Sequence, residues 1–193
     1  MAIHEILSSE HPVLRQKAKK VKRVDASTQK LIDDMFDSMR EARGLGLAAP
    51  QIGVGLRVLV IEMPDDDTDD AVEALPREKR KVNYSGEQII LINPEIVKME
   101  GEQFGEEGCL SILGYVGMVR RANKVTVKGL DRKGKETRIK GEGLLARALQ
   151  HEVDHLDGIL YTDRIEKPED LFRITDEGRV PAFQGGTKQK QAA

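Results

Sequence analysis

One stretch of the sequence decides the fold: GEGLLARALQHEVDHLDG (141–158). We predict a single helix here, because no proline interrupts the stretch and its apolar residues recur at helical spacing. Gly158 suits the left-handed backbone conformation with which many helices end. The residues that share one face of the helix are Leu145, Ala148, Leu149, Glu152 and Leu156. We expect this helix to lie at the centre of the domain.

The same helix carries the motif HEVDH (151–155). His151 and His155 are one turn apart on one helical face, so both imidazoles can bind the same metal. Glu152 then lies beside the metal, where its carboxylate can accept a proton from a bound water whose pKa the cation lowers. The pattern therefore indicates a hydrolytic metal site, although a charged helix face can also produce it.

The chain has one cysteine, Cys109, which is the best candidate for a third metal ligand. A catalytic metal of this kind usually has three protein ligands and keeps one position open for water. Cys109 lies in GEEGCLS (105–111), between glycines rather than in an apolar helix, and a bound metal would keep its thiol deprotonated. The alternative is a small buried hydrophobic residue, which is what most free cysteines are.

A glycine-rich segment, GLGLAAPQ (44–51), precedes these motifs. No Lys-Ser or Lys-Thr follows its glycines and no strand directly precedes them, so both nucleotide-binding fingerprints fail. We interpret the segment as a place where missing side chains let a peptide backbone approach closely. The amide of Gln51 could then donate to a developing oxyanion, the alternative being an amide that stabilises a turn.

The bulk properties favour one soluble domain in the cytoplasm. The 193 residues suffice for one substantial core, and a single cysteine excludes an intrachain disulfide. Lysine and arginine number 31 against 33 acidic residues, so no overall basic charge would attract nucleic acid or an acidic membrane. The sequence shows no signal-peptide pattern and no apolar run approaching the ~20 residues that span a membrane.

The remaining pattern predicts an α+β fold with antiparallel sheets packed around the helix that carries HEVDH. Upstream we expect a short helix at 13–20 and a longer one from Ser27 to about Arg43. The polar stretch 63–88 should be a surface insert, and the tail from 181 should be disordered. Strand-like runs, with turns at Asn93-Pro94 and 131–134, lie at 56–62, 89–93, 95–100, 115–121, 124–130 and 136–140.

Taken together and in this order, GLGLAAPQ, EGCLS and HEVDH resemble the three signature motifs of the peptide deformylase family. Each motif is moderately specific, and the trio is highly specific. The resemblance runs from about residue 1 to 165, and the stretch 107–164 is most similar to the plant-type and related bacterial branch. It implies a catalytic domain over 1–165, with the insert at 63–88, and a C-terminal extension over 166–193.

The resemblance also implies roles for the site residues. The implied ligands of one divalent metal are Cys109, His151 and His155. That metal would be Fe²⁺ in the cell, with Zn²⁺, Ni²⁺ or Co²⁺ able to replace it. Metal-bound hydroxide would attack the formyl carbon of a formylmethionyl peptide, with Glu152 as general base and then general acid. Gln51 and the backbone N–H of Leu110 would hold the oxyanion, and the products would be formate and a free N-terminal methionine.

For the substrate, the resemblance implies an extended peptide that pairs its backbone with the segment around Gly46, as an added strand. The implied substrate-binding residues are Gly46, Leu45, Gly108, Leu144 and Ala148. Three of these, Leu45, Leu144 and Ala148, would hold the methionine side chain, the alternative for Leu144 being an ordinary core position. The partners would be formylated nascent chains and the ribosome near its exit tunnel, without a membrane or a specific nucleic acid.

Some positions depart from the family pattern or extend it. Leu113 stands where many family members have proline, so the loop that borders the substrate cleft should differ. Arg147 takes a helix position at which an apolar residue is common, and it either lines the mouth of the pocket or faces solvent. We also propose that Glu107, Arg121 and Asp154 form an ionic cluster that fixes the cysteine loop against the helix. The alternative is that all three are solvated.

Two other functions compete with this interpretation. A zinc endopeptidase uses the same HExxH pattern, but it would leave Cys109 and GLGLAAPQ without roles. A binding module with a structural zinc would need a fourth protein ligand, because structural sites are closed. The remaining histidines, His4 and His11, lie near the N-terminus. Only a fold that carries one of them to Cys109 would supply that ligand.

Overall fold

The computed structural model of the chain describes residues 2–63 and 86–183. Within those ranges the chain forms two α-helices, α1 (Ala26–Glu41) and α2 (Gly143–Leu156), and nine strands. The strands in chain order are β1 (Gly46–Ala48), β2 (Val58–Glu62), β3 (Gln88–Glu100), β4 (Gln103–Cys109), β5 (Ile112–Arg121), β6 (Lys124–Leu130), β7 (Glu136–Glu142), β8 (Leu171–Thr175) and β9 (Gly178–Pro181). All pairings between these strands are antiparallel, which confirms the predicted α+β class.

The strands form two sheets, and α2 contacts both of them. The larger sheet has the order β1-β2-β3-β6-β7, and the smaller one has the order β4-β5-β8-β9. α2 packs on one face of the larger sheet, and Arg147 of this helix donates to the backbone oxygen of Val119 in the smaller sheet at 3.0 Å. Every residue from Leu149 to Leu156 is buried. The helix is therefore central, as its apolar pattern predicted.

β2 shows why the larger sheet is covered on both faces. Successive side chains of a strand point to opposite sides. Leu59 and Ile61 belong to the core shared with α2, whereas Val58 and Val60 belong to the core shared with α1. All five residues of β2 are buried, and the first four, VLVI, form a continuous apolar run rather than an alternating pattern.

The two predicted upstream helices differ from the observed ones at their ends. The side chain of Asp25 caps α1 by accepting from the backbone N–H groups of Ser27 (3.0 Å) and Thr28 (3.2 Å), so the prediction of Ser27 as the cap was wrong. The short helix predicted at 13–20 is only a 3-10 turn at Pro12–Arg15. Beyond it the chain is extended, because its backbone groups bond to distant segments; Ala18 donates to Leu156 at 2.9 Å.

β3 runs through the Asn93-Pro94 pair at which we predicted a turn, so that prediction was wrong. The strand bends there instead, because Asn93 has a positive φ of 54° and the register with β6 shifts between Ile92 and Glu95. The side chain of Asn93 binds the backbone of Val21 through two hydrogen bonds, at 2.8 and 2.9 Å. A turn-forming residue here produces a bulge that anchors a loop.

The pattern also missed four strands, which are β1, β4, β8 and β9. β4 has the sequence QFGEEGC, in which glycines and carboxylates hide the strand signal. β8 and β9 form a hairpin that extends the smaller sheet from β5, so the segment after 165 contributes ordered structure as far as Pro181. The domain boundary at 165 stays a prediction.

Residues 64–85 of the predicted insert 63–88 lie outside the described residues, as do residues 184–193 of the tail predicted to be disordered from 181. Within the described part of that tail, Pro181 ends β9 and Ala182 donates to the backbone oxygen of Leu171, so disorder from 181 was wrong there. Among the helices that the structure describes, none has both the length and the apolarity needed to cross a membrane.

Candidate metal centre and active site

Three potential metal ligands converge where α2 meets the end of β4. The Sγ atom of Cys109 lies 3.3 Å from Nε2 of His155, which in turn lies 3.2 Å from Nε2 of His151. The three ligand atoms all lie within 4.8 Å of one another. The helix presents both imidazoles on one face, and the β4–β5 hairpin delivers the thiol from the opposite side. The predicted ligands are thus brought together.

The electrostatics of this cluster fit a divalent cation. Burial alone would raise the pKa of the Cys109 thiol, but the adjacent His155 and His151 hold that pKa well below its ordinary value. The thiolate is the form that binds a metal. Among the described residues, Nδ1 of His155 is buried without a hydrogen-bond partner. One thiolate and two imidazoles suit borderline cations such as Fe²⁺ and Zn²⁺, so these residues can hold a divalent metal.

The cluster has three members, as expected for a catalytic site and not for a structural zinc. In residues 2–63 and 86–183, the group of closely spaced potential ligands contains only this trio. His4 contacts Asp34 at 3.3 Å, and His11 accepts the backbone N–H of Val13 at 3.3 Å. Neither histidine joins Cys109. Within the described ranges, the alternative of a closed structural site therefore lacks a fourth protein ligand.

Glu152 projects into the same buried site. Its side chain is 5% exposed, and its Oε2 atom has no hydrogen-bond partner in the part of the chain that the structure describes. Burial raises the pKa of this carboxyl to about 7, because desolvation disfavours the charged form more than His151 and His155 favour it. A carboxyl with this pKa can both accept and donate a proton near neutral pH.

Gly46 of β1 packs directly against that carboxylate. A Cβ atom at this position would lie 2.5 Å from Oε1 of Glu152. The glycine is therefore required by close approach to a site residue. In addition, β1 is the first strand of its sheet, so one of its edges is open to another strand.

Gln51 stabilises a turn and also directs its side-chain amide towards the ligand cluster. Its Oε1 atom accepts the backbone N–H of Ala48 at 2.8 Å and so stabilises the turn. Its Nε2 atom lies 3.6 Å from Sγ of Cys109 and 3.3 Å from Oγ of Ser111, and thus points at the cluster. Leu110, which follows the cysteine, is buried beside them. The side-chain amide of Gln51 and the EGCLS loop therefore lie side by side next to the ligand cluster.

The predicted ionic cluster is confirmed, and it holds one of the imidazoles. Arg121 donates to both carboxylate oxygens of Glu107, at 2.8 and 3.0 Å, and to Asp154 at 2.6 Å. All three side chains are buried. Glu107 also contacts Nδ1 of His151 at 2.9 Å, which leaves Nε2 directed at the metal site. The two arginine hydrogen bonds and the His151 contact keep the pKa of Glu107 low despite its burial.

Arg147 completes this cluster. Its guanidinium is buried and donates to Glu107 at 2.9 Å. Arg147 also lines the pocket, so the first of its two predicted alternatives is confirmed and exposure to solvent was wrong. Sequence reasoning also missed Arg164, which donates to Asp154 at 2.8 Å, and the contact between Glu107 and His151. The spacing contained one signal: residues i and i+2 of a strand share a face, so Glu107 and Cys109 point the same way.

One pocket collects the predicted substrate residues. Its wall also includes Gln51, Glu152 and the ligands Cys109 and His151. Leu144 is 40% exposed, so the alternative of an ordinary core position for it was wrong. The substrate-binding predictions that line this pocket are Leu45, Gly46, Gly108, Leu144 and Ala148. Leu113, which departs from the family pattern, is the second residue of β5, and it is 67% exposed.

Comparisons with known proteins give one family. The family model described as polypeptide deformylase matches residues 3–170. The peptide deformylase of Dehalococcoides mccartyi strain CBDB1 is 49% identical over 181 residues, covering 94% of this chain and 97% of that protein. The crystal structure of a peptide deformylase from Legionella pneumophila is 50% identical, with a TM-score of 0.71 and coverage of 86% of this chain and 87% of the other.

A second similar structure contains a ligand. The crystal structure of the Synechococcus elongatus peptide deformylase in complex with actinonin is 36% identical, with a TM-score of 0.72 and coverage of 85% of this chain and 79% of that one. The motifs, the geometry of the site and these similarities agree. The chain belongs to the polypeptide deformylase family, whose members remove the N-formyl group from nascent peptides.

Proposed function

We propose that Glu152 is the general base and acid with which this chain hydrolyses the formyl amide of formylmethionyl peptides. The observation that supports this role is the position of its buried carboxylate. Glu152 directly follows the ligand His151 in α2, and it lines the pocket. An endopeptidase reading would leave Cys109, which belongs to the ligand cluster, and the glycine-rich segment, which belongs to the pocket wall, without roles.

The remaining site residues divide the reaction between them. A cation held by Cys109, His151 and His155 would supply a Lewis acid that lowers the pKa of water and polarises the formyl carbonyl. Glu152 takes a proton from the water that attacks the formyl carbon and returns it to the leaving amine, which a pKa of about 7 permits. Nε2 of Gln51 and the backbone N–H of Leu110 stabilise the oxyanion.

The peptide enters as an added strand. The open edge of β1 offers backbone groups around Gly46, and Gly108 also lines the pocket. Leu45, Leu144 and Ala148 form the apolar part that receives the methionine side chain. Hydrogen bonds to the peptide backbone do not depend on most of the side chains. The formyl group and the first residue therefore determine which peptides are substrates.

The finer assignments extend this proposal. We propose Fe²⁺ as the metal in the cell, as the family resemblance implies. A thiolate with two imidazoles can also bind Zn²⁺, Ni²⁺ or Co²⁺. The substrates are formylated nascent chains in the cytoplasm, met near the exit tunnel of the ribosome. The balance of 31 basic and 33 acidic residues supports a role without specific nucleic acid or membrane binding.

Formate release from formyl-Met-Ala-Ser by anaerobically purified protein tests the proposal. We expect release from this peptide and none from acetyl-Met-Ala-Ser or from an internal peptide bond. Chelation should abolish the activity, and addition of Fe²⁺, Zn²⁺, Ni²⁺ or Co²⁺ in parallel should show which metal restores most of it. Actinonin, bound in the Synechococcus elongatus enzyme, should compete with the peptide. A metal-loaded protein that releases no formate would reject the proposal.

Gly46→Ala should lower kcat about 10- to 100-fold, because the new Cβ would displace the Glu152 carboxylate and an error of 1 Å in a catalytic group has effects of this size. The matched control is Gly55→Ala, since a Cβ at Gly55 meets nothing within 4 Å. Metal content and melting temperature should stay near wild type in both variants. Equal kcat values for the two variants would show that Glu152 does not need this close contact.

A further inference from the structure

The N-terminal arm, defined here as residues 2–9, crosses the two loops that carry the proposed oxyanion donors. The backbone N–H of Leu7 donates to the backbone oxygen of Gln51 at 2.8 Å. The backbone N–H of Ser9 donates to the backbone oxygen of Ser111, also at 2.8 Å. Gln51 is itself one proposed donor, and Ser111 directly follows Leu110, the other. Two adjacent hydrogen bonds of one short segment therefore fix both loops.

The far end of the arm is anchored on α1. The backbone N–H of Ala2 donates to Oδ1 of Asp34 at 2.9 Å, and the backbone N–H of His4 donates to Oγ of Ser38 at 2.9 Å. Both acceptor residues are buried. Asp34 also binds the side chains of His4 and Lys30, and these contacts hold the pKa of its carboxyl low. The reaction described above does not use this buried carboxylate. Its partners indicate that it secures the arm.

The direct hydrogen bonds between the two loops are long. Nε2 of Gln51 lies 3.6 Å from Sγ of Cys109. Gln51 and Ser111 lie 60 positions apart in the sequence, and their side chains meet through one hydrogen bond of 3.3 Å. An oxyanion needs donors about 2.7–3.1 Å from its position, so the separation of the two donors must be held closely. The backbone hydrogen bonds from Leu7 and Ser9 supply a second, stiffer connection.

We propose that the N-terminal arm is a positioning element for the oxyanion site, which keeps Gln51 and Leu110 at the spacing that the transition state requires. The inference rests on the proposed roles of these two donors. The arm itself contacts neither the ligands nor Glu152 through any hydrogen bond among the described residues. Loss of the hydrogen bonds from the arm to the two loops should therefore lower kcat and leave the metal bound.

Ser9→Pro tests the arm at one of its two hydrogen bonds. Ser9 follows Ser8 in a turn closed by the bond from His11 N–H to Ser8 O at 2.9 Å, and proline is favoured at this turn position. The substitution removes the N–H that binds Ser111 while preserving the turn. Ser9→Ala, which keeps the N–H, is the matched control. We expect Ser9→Pro to lower kcat roughly tenfold relative to Ser9→Ala, with KM and metal per chain unchanged.

Leu7→Pro and Leu7→Ala repeat the comparison at the other hydrogen bond. Both remove the leucine side chain, but only proline removes the donor to Gln51. This pair decides the question if Ser9→Pro does not fold. A loss confined to kcat in the proline variants supports the proposal. Equal kcat per metal-loaded chain in the proline and alanine variants would overturn it, as would losses explained by lower metal content. Inactive wild-type protein would instead reject the proposed function itself.

Discussion

Glu152→Gln should lower kcat for formate release by about 10³-fold, within the range that general acid-base catalysis contributes. Glutamine keeps the size of the side chain and its hydrogen-bonding oxygen, but it cannot accept a proton. The carboxylate is not among the three clustered ligands, so one metal per chain should remain bound. KM for formyl-Met-Ala-Ser should change little, because the lost function acts mainly in the transition state.

The measurement is kcat per metal-loaded chain, with metal content determined on the same sample. Glu142→Gln is the matched control, since Glu142 directly precedes α2 and its side chain is 63% exposed. That variant should behave as wild type. If Glu152→Gln kept more than about a tenth of the activity with full metal content, the base would have to be another group.

Arg121→Ala should destabilise the fold by about 3–5 kcal/mol, because it removes a buried cation from two buried carboxylates. Glu107 would keep Arg147 and Asp154 would keep Arg164, but the hydrogen bonds that join β5 to both carboxylates would be lost. Glu107 would then hold His151 less firmly. Loss of such support for a ligand lowers metal affinity about 10- to 100-fold, so the metal should leave during dialysis.

Arg120→Ala provides the comparison one residue away. Arg120 pairs with Glu102 and Glu166 on the surface, where its side chain is 44% exposed. Exposed pairs contribute about 0–1 kcal/mol, so this variant should keep both its stability and its metal. Urea unfolding gives the free energies, and metal analysis after dialysis gives retention. Unchanged metal content in Arg121→Ala would show that the cluster stabilises the fold without supporting the metal site.

The fold was predictable where one periodicity dominates a segment. The predicted strand 124–130 matches β6 at both ends, since KVTVKGL alternates apolar and polar residues up to its glycine. The predicted helix 141–158 contains α2. The same pattern could not predict β4, because its Glu107 points at buried arginines rather than at water. Its strand character comes from pairing with β5, which is a tertiary effect.

The site was predictable where the chemistry resides in short motifs. HEVDH gives two ligands by helix geometry alone, and the family resemblance implied Cys109 as the third. The support for these ligands was harder to foresee. The environment of Arg147 depends on Glu107 across 40 positions, and the bond from Ser9 to Ser111 joins backbone groups that carry no sequence signal. Residue type indicates what a side chain can do, whereas its partners depend on the completed fold.

The three metal ligands come from two elements, β4 and α2, that are distant in the sequence. The supply of metal therefore affects the free energy of unfolding. Cys109 and His155 are 46 positions apart and meet only when β4 packs against α2. An unfolded chain therefore offers the adjacent histidines but not the complete set. A cation that binds only the native form adds RT ln(1 + [M]/Kd) to the unfolding free energy, about 4 kcal/mol at a thousandfold excess over Kd. A shortage of metal would thus make the folded enzyme less stable and shorten its lifetime, in addition to removing its activity.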